Sequence, residues 1–233
     1  KAYKSVFGDP SMIRSLWQTI KVTVLFTALG MFLTICAAYP LTRKRLKGRN
    51  IISIFFIITL YFSGGIIPDY LLMHRLGLLN NSASLILPLA FSAYNMIIMR
   101  TSIQSTVPDS LEESAFLDGA GDIRILVQIV LPLCKPIIAT LCLFYAVGRW
   151  NAYQDSVFYI TRQPLYLLQH KLNLLIQTTN TTLTSSEAQP DTVTNPEVIK
   201  SACIIFATLP IIITYPFVQK YFVKGVMIGA VKG

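Results

Sequence analysis

Side chains able to do chemistry are scarce in this chain, and most of them lie together. Asp109, Glu112, Glu113, Asp118 and Asp122 crowd the stretch between Pro108 and Arg124. Carboxylates at this density suit acid–base work or a metal only with other groups beside them. His74 and His170 are far apart and have no clear ligand partner. Cys36, Cys142 and Cys203 lie inside apolar segments and Cys134 at the edge of one, without metal-ligand spacing. They read as small apolar fillers. What remains is recognition: an acidic knob suits a basic groove on a partner protein. A second group, Arg149, Trp150, Asn151, Tyr153 and Asp155, sits near the far end of an apolar run. Ionisable groups there must pair or face a water-filled cavity. Aromatic faces beside polar groups suit a sugar, and equally an interfacial aromatic belt with snorkelling charges. Tyr94 and Asn95 are further pathway candidates, with helix–helix hydrogen bonding as the alternative.

The elements that must position these residues are set by the solvent. Of 233 residues, 53% are hydrophobic and 13% charged, against about 25% charged in soluble domains. The mean hydropathy is +0.56. Apolar runs from Val22 to Pro40, Ile51 to Ile67, Leu85 to Met99, Leu131 to Phe158 and Ser201 to Val218 are each expected to be a membrane helix. The expected fold is therefore all-α, a polytopic transmembrane bundle over residues 1–233. The net charge of +9 could point to nucleic acid, but no nucleic-acid motif accompanies it. Arg43, Lys44, Arg45, Lys47 and Arg49 instead flank the first run, as cytoplasmic loops do.

Alternation from that loop places Glu113 inside, the polar loop 161–200 outside, and the tail 220–233 with Lys220, Lys224 and Lys232 inside. It places Lys1 outside, so a further N-terminal span is expected ahead of it; an N-out protein or signal processing is the alternative. Prolines Pro88, Pro132, Pro136, Pro210 and Pro216 fall within the runs, either as kinks used in gating or as ordinary membrane-helix prolines.

The acidic stretch 106–130 has its own local logic. Pro108-Asp109-Ser110 is a helix start, with acidic residues favoured in the first turn. Leu111 and Ala115 share a face, and Gly119 permits a sharp turn. Glu113-Ser114-Ala115-Phe116-Leu117-Asp118-Gly119-Ala120, followed by Ile129-Val130-Leu131-Pro132, resembles the EAA loop of ABC importer permeases. Ser114 departs from the usual Ala and is still small. Leu76-Gly77-Leu78-Leu79-Asn80, Arg149-Trp150-Asn151 and Gly229-Ala230-Val231-Lys232-Gly233 are similar to the carbohydrate branch, maltose permeases and Gram-positive oligosaccharide permeases among them.

That resemblance implies the rest. The chain would be the bacterial plasma-membrane subunit of an importer that moves a sugar or oligosaccharide inward by alternating access. Its partners would be a second homologous permease, two cytoplasmic ABC ATPases and an extracytoplasmic sugar-binding protein. ATP and Mg would be bound by the ATPases, since this chain has no phosphate-binding Gly-rich Lys-Ser/Thr loop and carries no cofactor. Glu112, Glu113, Ser114, Ala115, Asp118, Gly119, Ala120, Leu131 and Pro132 would couple to the ATPase, with Glu113 in an ion pair. Gly229, Lys232 and Gly233 would reach the ATPase from the tail. The alternatives are a permease for a non-sugar solute, a membrane-embedded sugar transferase, which would need clustered catalytic groups, and an ion-coupled carrier, which would call for internal repeats.

Overall fold

The structure, a computed structural model, describes residues 9–184 and 201–213 apart from residue 203. Helices α1 (Pro10–Thr42), α2 (Arg49–Tyr61), α3 (Ile66–Arg75), α4 (Ala93–Thr106) and α5 (Asp109–Leu117) come first. They are followed by α6 (Asp122–Leu133), α7 (Lys135–Asn151), α8 (Gln154–Tyr159), α9 (Leu168–Thr184) and α10 (Ile204–Ile213). Among the described residues α1 alone is long and apolar enough to cross a membrane unaided; two bent pairs, α2 with α3 and α6 with α7, pass if each is one span.

The outer surface is far more apolar than that of a protein made for water, and several hydroxyls are buried. Ser15, Thr19, Thr34 and Ser53 are buried, while Val24, Phe32, Ile54, Phe55 and Ile58 are exposed. The hydroxyls face inward because hydrocarbon offers them no partner. Thr19 and Ser53 donate to carbonyls one turn back, at 2.8 and 2.6 Å. Thr34 pairs with the Tyr145 hydroxyl at 2.7 Å.

The helices break where the chain leaves itself a reason to. The run expected as one helix from Ile51 to Ile67 stops at Phe62, whose backbone is extended, and resumes at Ile66 after Gly65 at φ 87°. The run expected from Leu85 to Met99 is helical only from Ala93. Pro88 lies in the irregular stretch before it, and Ser92 caps the new helix by accepting from the Asn95 amide at 3.3 Å. The run expected from Leu131 to Phe158 divides into α6, α7 and α8. Its first break, at Cys134, lies between Pro132 and Pro136, and the axes of α6 and α7 differ by 83°. Each proline withholds a backbone donor there. Just upstream the Leu131 amide donates to the Leu126 carbonyl, five residues back, so Leu126–Val130 is a π-helical turn. The segment expected as a polar loop, 161–200, contains α9 over its first half.

The described residues form two compact units. One holds residues 9–25, Ile67–Leu87 and the described residues from Val147 to Ile213. Its apolar clusters gather around Met12, Trp150, Leu168 and Phe206, and around Val22, Leu85, Ile160 and Leu167. The other holds Phe26–Ile66 and Pro88–Ala146, with Met31, Met96, Met99, Ile103, Val130 and Leu141 at its centre.

Tyr145 is the node of the second unit. Its hydroxyl meets Thr34 and accepts from the Ser92 amide at 3.2 Å, and its ring packs edge-on to Phe26 at 5.9 Å. This closeness depends on Gly30. A Cβ there would stand 2.8 Å from the Ala90 carbonyl oxygen and 2.9 Å from the Tyr145 ring, and a backbone oxygen cannot swing aside. Small residues let membrane helices approach in this way. Gly30→Val is therefore expected to destabilise the subunit by about 1–3 kcal/mol, read as a lowered melting temperature of the detergent-solubilised protein. An unchanged melt would show that the junction relaxes freely.

Candidate functional site

The acidic stretch folds as an elbow. Pro108, extended at ψ 140°, precedes α5, and Asp109 and Glu112 occupy its first turn. At the other end the Gly119 amide donates to Phe116 and the Ala120 amide to Ala115, both at 3.0 Å, around Gly119 at φ 79°. Those paired bonds satisfy the last carbonyls of the helix and need a left-handed residue, which glycine adopts without strain. Asp118 is the residue at which the helix ends. Leu131 and Pro132 belong to the last turn of α6, before the break at Cys134.

The two faces of the elbow differ. Ala115 and Ala120 pack against the core of their unit. Leu111, Phe116 and Leu117 are exposed, Leu117 to 87%. Ser114 is exposed, and its hydroxyl donates to the Ser110 carbonyl at 2.8 Å, so the helix itself satisfies it. Glu112 is turned inward in an ion pair with Arg43, their side chains 17% and 13% exposed. Lys44 meets Asp109 at 2.5 Å, and Arg45 pairs with Asp122. The Lys44 ammonium, donating to Asp109, holds that carboxyl below the usual carboxylate range. Glu113 is exposed and enters none of the ion pairs found among the described residues.

The sequence points to a basic groove on another protein as the match for these acids. The structure supplies the match for Asp109, Glu112 and Asp122 from within the chain, and Glu113 is left facing out. The signal for this was present but non-local: a run of consecutive cations at 43–45, and carboxylates three apart, hence on one helix face.

The second candidate group is engaged largely with itself. Arg149, 2% exposed, holds Asp155 through both terminal nitrogens, one at 3.0 Å. The Asp155 carboxylate also accepts from the Ser156 amide at 2.9 Å. The Ser156 hydroxyl pairs with His170 Nδ1 at 3.0 Å, and the Tyr166 ring lies 4.2 Å from the imidazole. This network ties α8 to α9. Trp150 is core: its indole donates to the Ala207 carbonyl at 3.3 Å and is 8% exposed. Asn151 and Tyr153 alone of this group line a groove, of about 330 Å³, with Gln169, Asn173 and Thr208. Gln169 and Asn173 escaped sequence reading because α9 did. Tyr94 is exposed and Asn95 buried in the first turn of α4. Gly229, Lys232 and Gly233 lie outside the described residues.

Asn80, the last residue of the Leu76–Asn80 motif, is a clasp. At φ 57° it turns its side-chain oxygen to accept from the Thr161 amide at 2.7 Å, the Thr161 hydroxyl at 2.9 Å and the Arg162 amide at 3.1 Å.

Burial pushes the His170 imidazole below its ordinary 6.5. The folded state thus binds fewer protons than the unfolded one between those two values. The stability His170 contributes is fully present above about pH 6.5 and is lost as pH falls through the folded value. Melting curves from pH 8 to pH 5 are expected to fall below about pH 6.5 for the parent chain and to be flatter for His170→Asn.

Residues 29–228 match the family model "binding-protein-dependent transport system inner membrane component". Protein LplC of Bacillus subtilis (strain 168) is 44% identical over 232 residues, covering 100% of this chain and 78% of that protein. The polygalacturonan/rhamnogalacturonan transport system permease protein YtcP of the same organism is 41% identical, covering 100% of this chain and 81% of that protein. A chain in the crystal structure of a bacterial ABC transporter involved in the import of the acidic polysaccharide alginate superposes with a TM-score of 0.83 at 33% identity, over 95% of this chain and 79% of that one.

Proposed function

Because the chain belongs to the family of inner-membrane components of binding-protein-dependent transport systems, we propose that it forms part of the pathway of an ATP-driven importer for oligosaccharides. It is a transport subunit, not an enzyme; hydrolysis of ATP, with its Mg, is the work of separate cytoplasmic ATPase subunits. A second homologous permease completes the pathway, and an extracytoplasmic binding protein delivers the cargo. The subunit alternates between outward and inward access in the bacterial plasma membrane. Its elbow lies in the cytoplasm and seats in the ATPase.

One observation carries the coupling role. The elbow turns Ala115, Ala120 and Glu112 toward its own unit and leaves Glu113, Leu111, Phe116 and Leu117 outward. An exposed apolar patch beside an exposed carboxylate is a surface prepared for a partner. Glu113 would meet a cation there, and Gly119 would set the angle at which the helix is presented. Loss of one partner from a desolvated pair costs about 2–5 kcal/mol. Glu113→Ala is therefore expected to weaken ATPase binding at least about thirtyfold and to lower transport in proportion, measured by co-purification and by uptake in proteoliposomes. Full transport with undiminished ATPase binding would exclude the role.

The cargo reading draws on the similar proteins. One is named for polygalacturonan and rhamnogalacturonan, another for the acidic polysaccharide alginate. Both names are of saccharides bearing carboxylates, and an acidic oligosaccharide is the cargo proposed for this chain. With the cognate binding protein present, oligogalacturonides should stimulate ATP hydrolysis by the assembled complex, and neutral glucose oligomers of equal length should not. The reverse order would overturn the cargo and leave the importer reading standing.

A further inference from the structure

The basic run after α1 has so far a topological meaning alone: positive charge beside a membrane helix. Its geometry goes further. Arg43, Lys44 and Arg45 are consecutive, and each has its own carboxylate on the elbow: Glu112, Asp109 and Asp122 in that order. Two of these acids lie in the first turn of α5 and the third opens α6. The end of α1 thus holds both limbs of the elbow. The Tyr39 hydroxyl adds a bond to the Asp122 carbonyl at 2.9 Å. The Arg43 guanidinium lies 4.0 Å over the Tyr39 ring, and that of Arg45 lies 5.3 Å over Phe116.

These contacts are unequal. Lys44–Asp109 and Arg45–Asp122 are half-exposed or more, and pairs so placed contribute little on their own. Arg43–Glu112 is mostly buried. Among the described residues, Arg43 Nε and Nη2 are also buried and make no hydrogen bond; with Asp122 and the Tyr39 ring nearby, the anion paired directly with that charge is Glu112. Removing it leaves a buried cation without its anion, the costly kind of loss.

The elbow needs such a restraint. No residue of α5 is fully buried, and α5 lies between extended Pro108 and left-handed Gly119, a short helix between two bends. Apolar contact through Ala115 and Ala120 alone would let it tilt when pushed.

We propose that Arg43, Lys44 and Arg45 are positioning residues that clamp the elbow to α1, so that a displacement delivered to α5 moves α1 with it. This rests on the reading that α5 is the element the ATPase moves. Arg43–Glu112 is the central pair, and the two outer pairs fix the direction of the clamp. Without the clamp the motor still binds and still hydrolyses ATP, but the stroke is absorbed by tilting of α5.

The test uses the complete transporter in proteoliposomes and reads solute moved per ATP hydrolysed. Arg43→Glu and Glu112→Arg, singly, are expected to lower that ratio about tenfold or more, with the KM for ATP unchanged and the ATPase subunits still co-purifying. The double exchange is expected to restore most of it. A second measurement does not depend on those variants folding. Lys44→Cys with Asp109→Cys, in a background with Cys36, Cys134, Cys142 and Cys203 replaced by alanine, is joined by a short bismaleimide, and transport is expected to survive the link. Singles with an unaltered ratio, a well-folded double exchange that is not rescued, or transport abolished by the crosslink would each overturn the clamp. A parent complex that moves no solute with ATP would instead refute the importer reading itself.

Discussion

Everything in this subunit answers to one constraint: in an apolar solvent a polar group must find its partner inside the protein. The hydroxyls of Thr19, Thr34 and Ser53 turn inward, and Phe32, Phe55 and Ile58 turn out. Arg149, buried in the last turn of α7, closes on Asp155 in the first turn of α8, whose carboxylate also accepts from the Ser156 amide. Asn80 sits at a left-handed angle so that its side-chain oxygen can accept from two amides and a hydroxyl of the 161–162 segment. At the elbow the bonds around Gly119 satisfy the last carbonyls of α5 by ordinary helix capping.

The elbow combines two kinds of surface on one short helix. Its inner side carries small residues and one mostly buried charge, and it is held by side chains from a distant part of the chain. Its outer side carries Leu117, Phe116 and Glu113, which are exposed among the described residues. A part built this way is restrained toward its own body and exposed on its other side. The division between Glu112 and Glu113, adjacent in sequence and opposite in role, comes from helix geometry: neighbouring residues point about 100° apart.

How much of this was legible in the sequence depends on how local each feature is. The elbow was: its start at Pro108-Asp109 and its end at Asp118-Gly119 are written in adjacent residues. The apolar runs were legible as regions and not as helices. Hydropathy reports the solvent a stretch prefers, whereas the backbone breaks at Ser63-Gly64-Gly65, at Pro88 and at Cys134 between two prolines depend on torsions that an average over a run conceals. Helix α9 was hidden for the opposite reason. It is too polar to read as a span, and it is held by Leu168 and Leu172 against Met12 and Trp150, partners far away in sequence. The pairing of residues 43–45 with 109, 112 and 122 left only a non-local signal, since complementary charge says that two segments could meet and not that they do.

The π-helical turn at Leu126–Val130 also bears on how chains of this kind can differ in length. Ile125, Val130 and Cys134 are all buried, spaced by five residues and then by four. Regular α-geometry would swing the first of these away from the others; the wider turn accommodates the additional residue and keeps all three on one side. A chain lacking one residue at this point would simply tighten to the ordinary pitch with its packed side unchanged. Alignments that place a single-residue gap just ahead of Leu131 would therefore record a change in winding rather than a change in core.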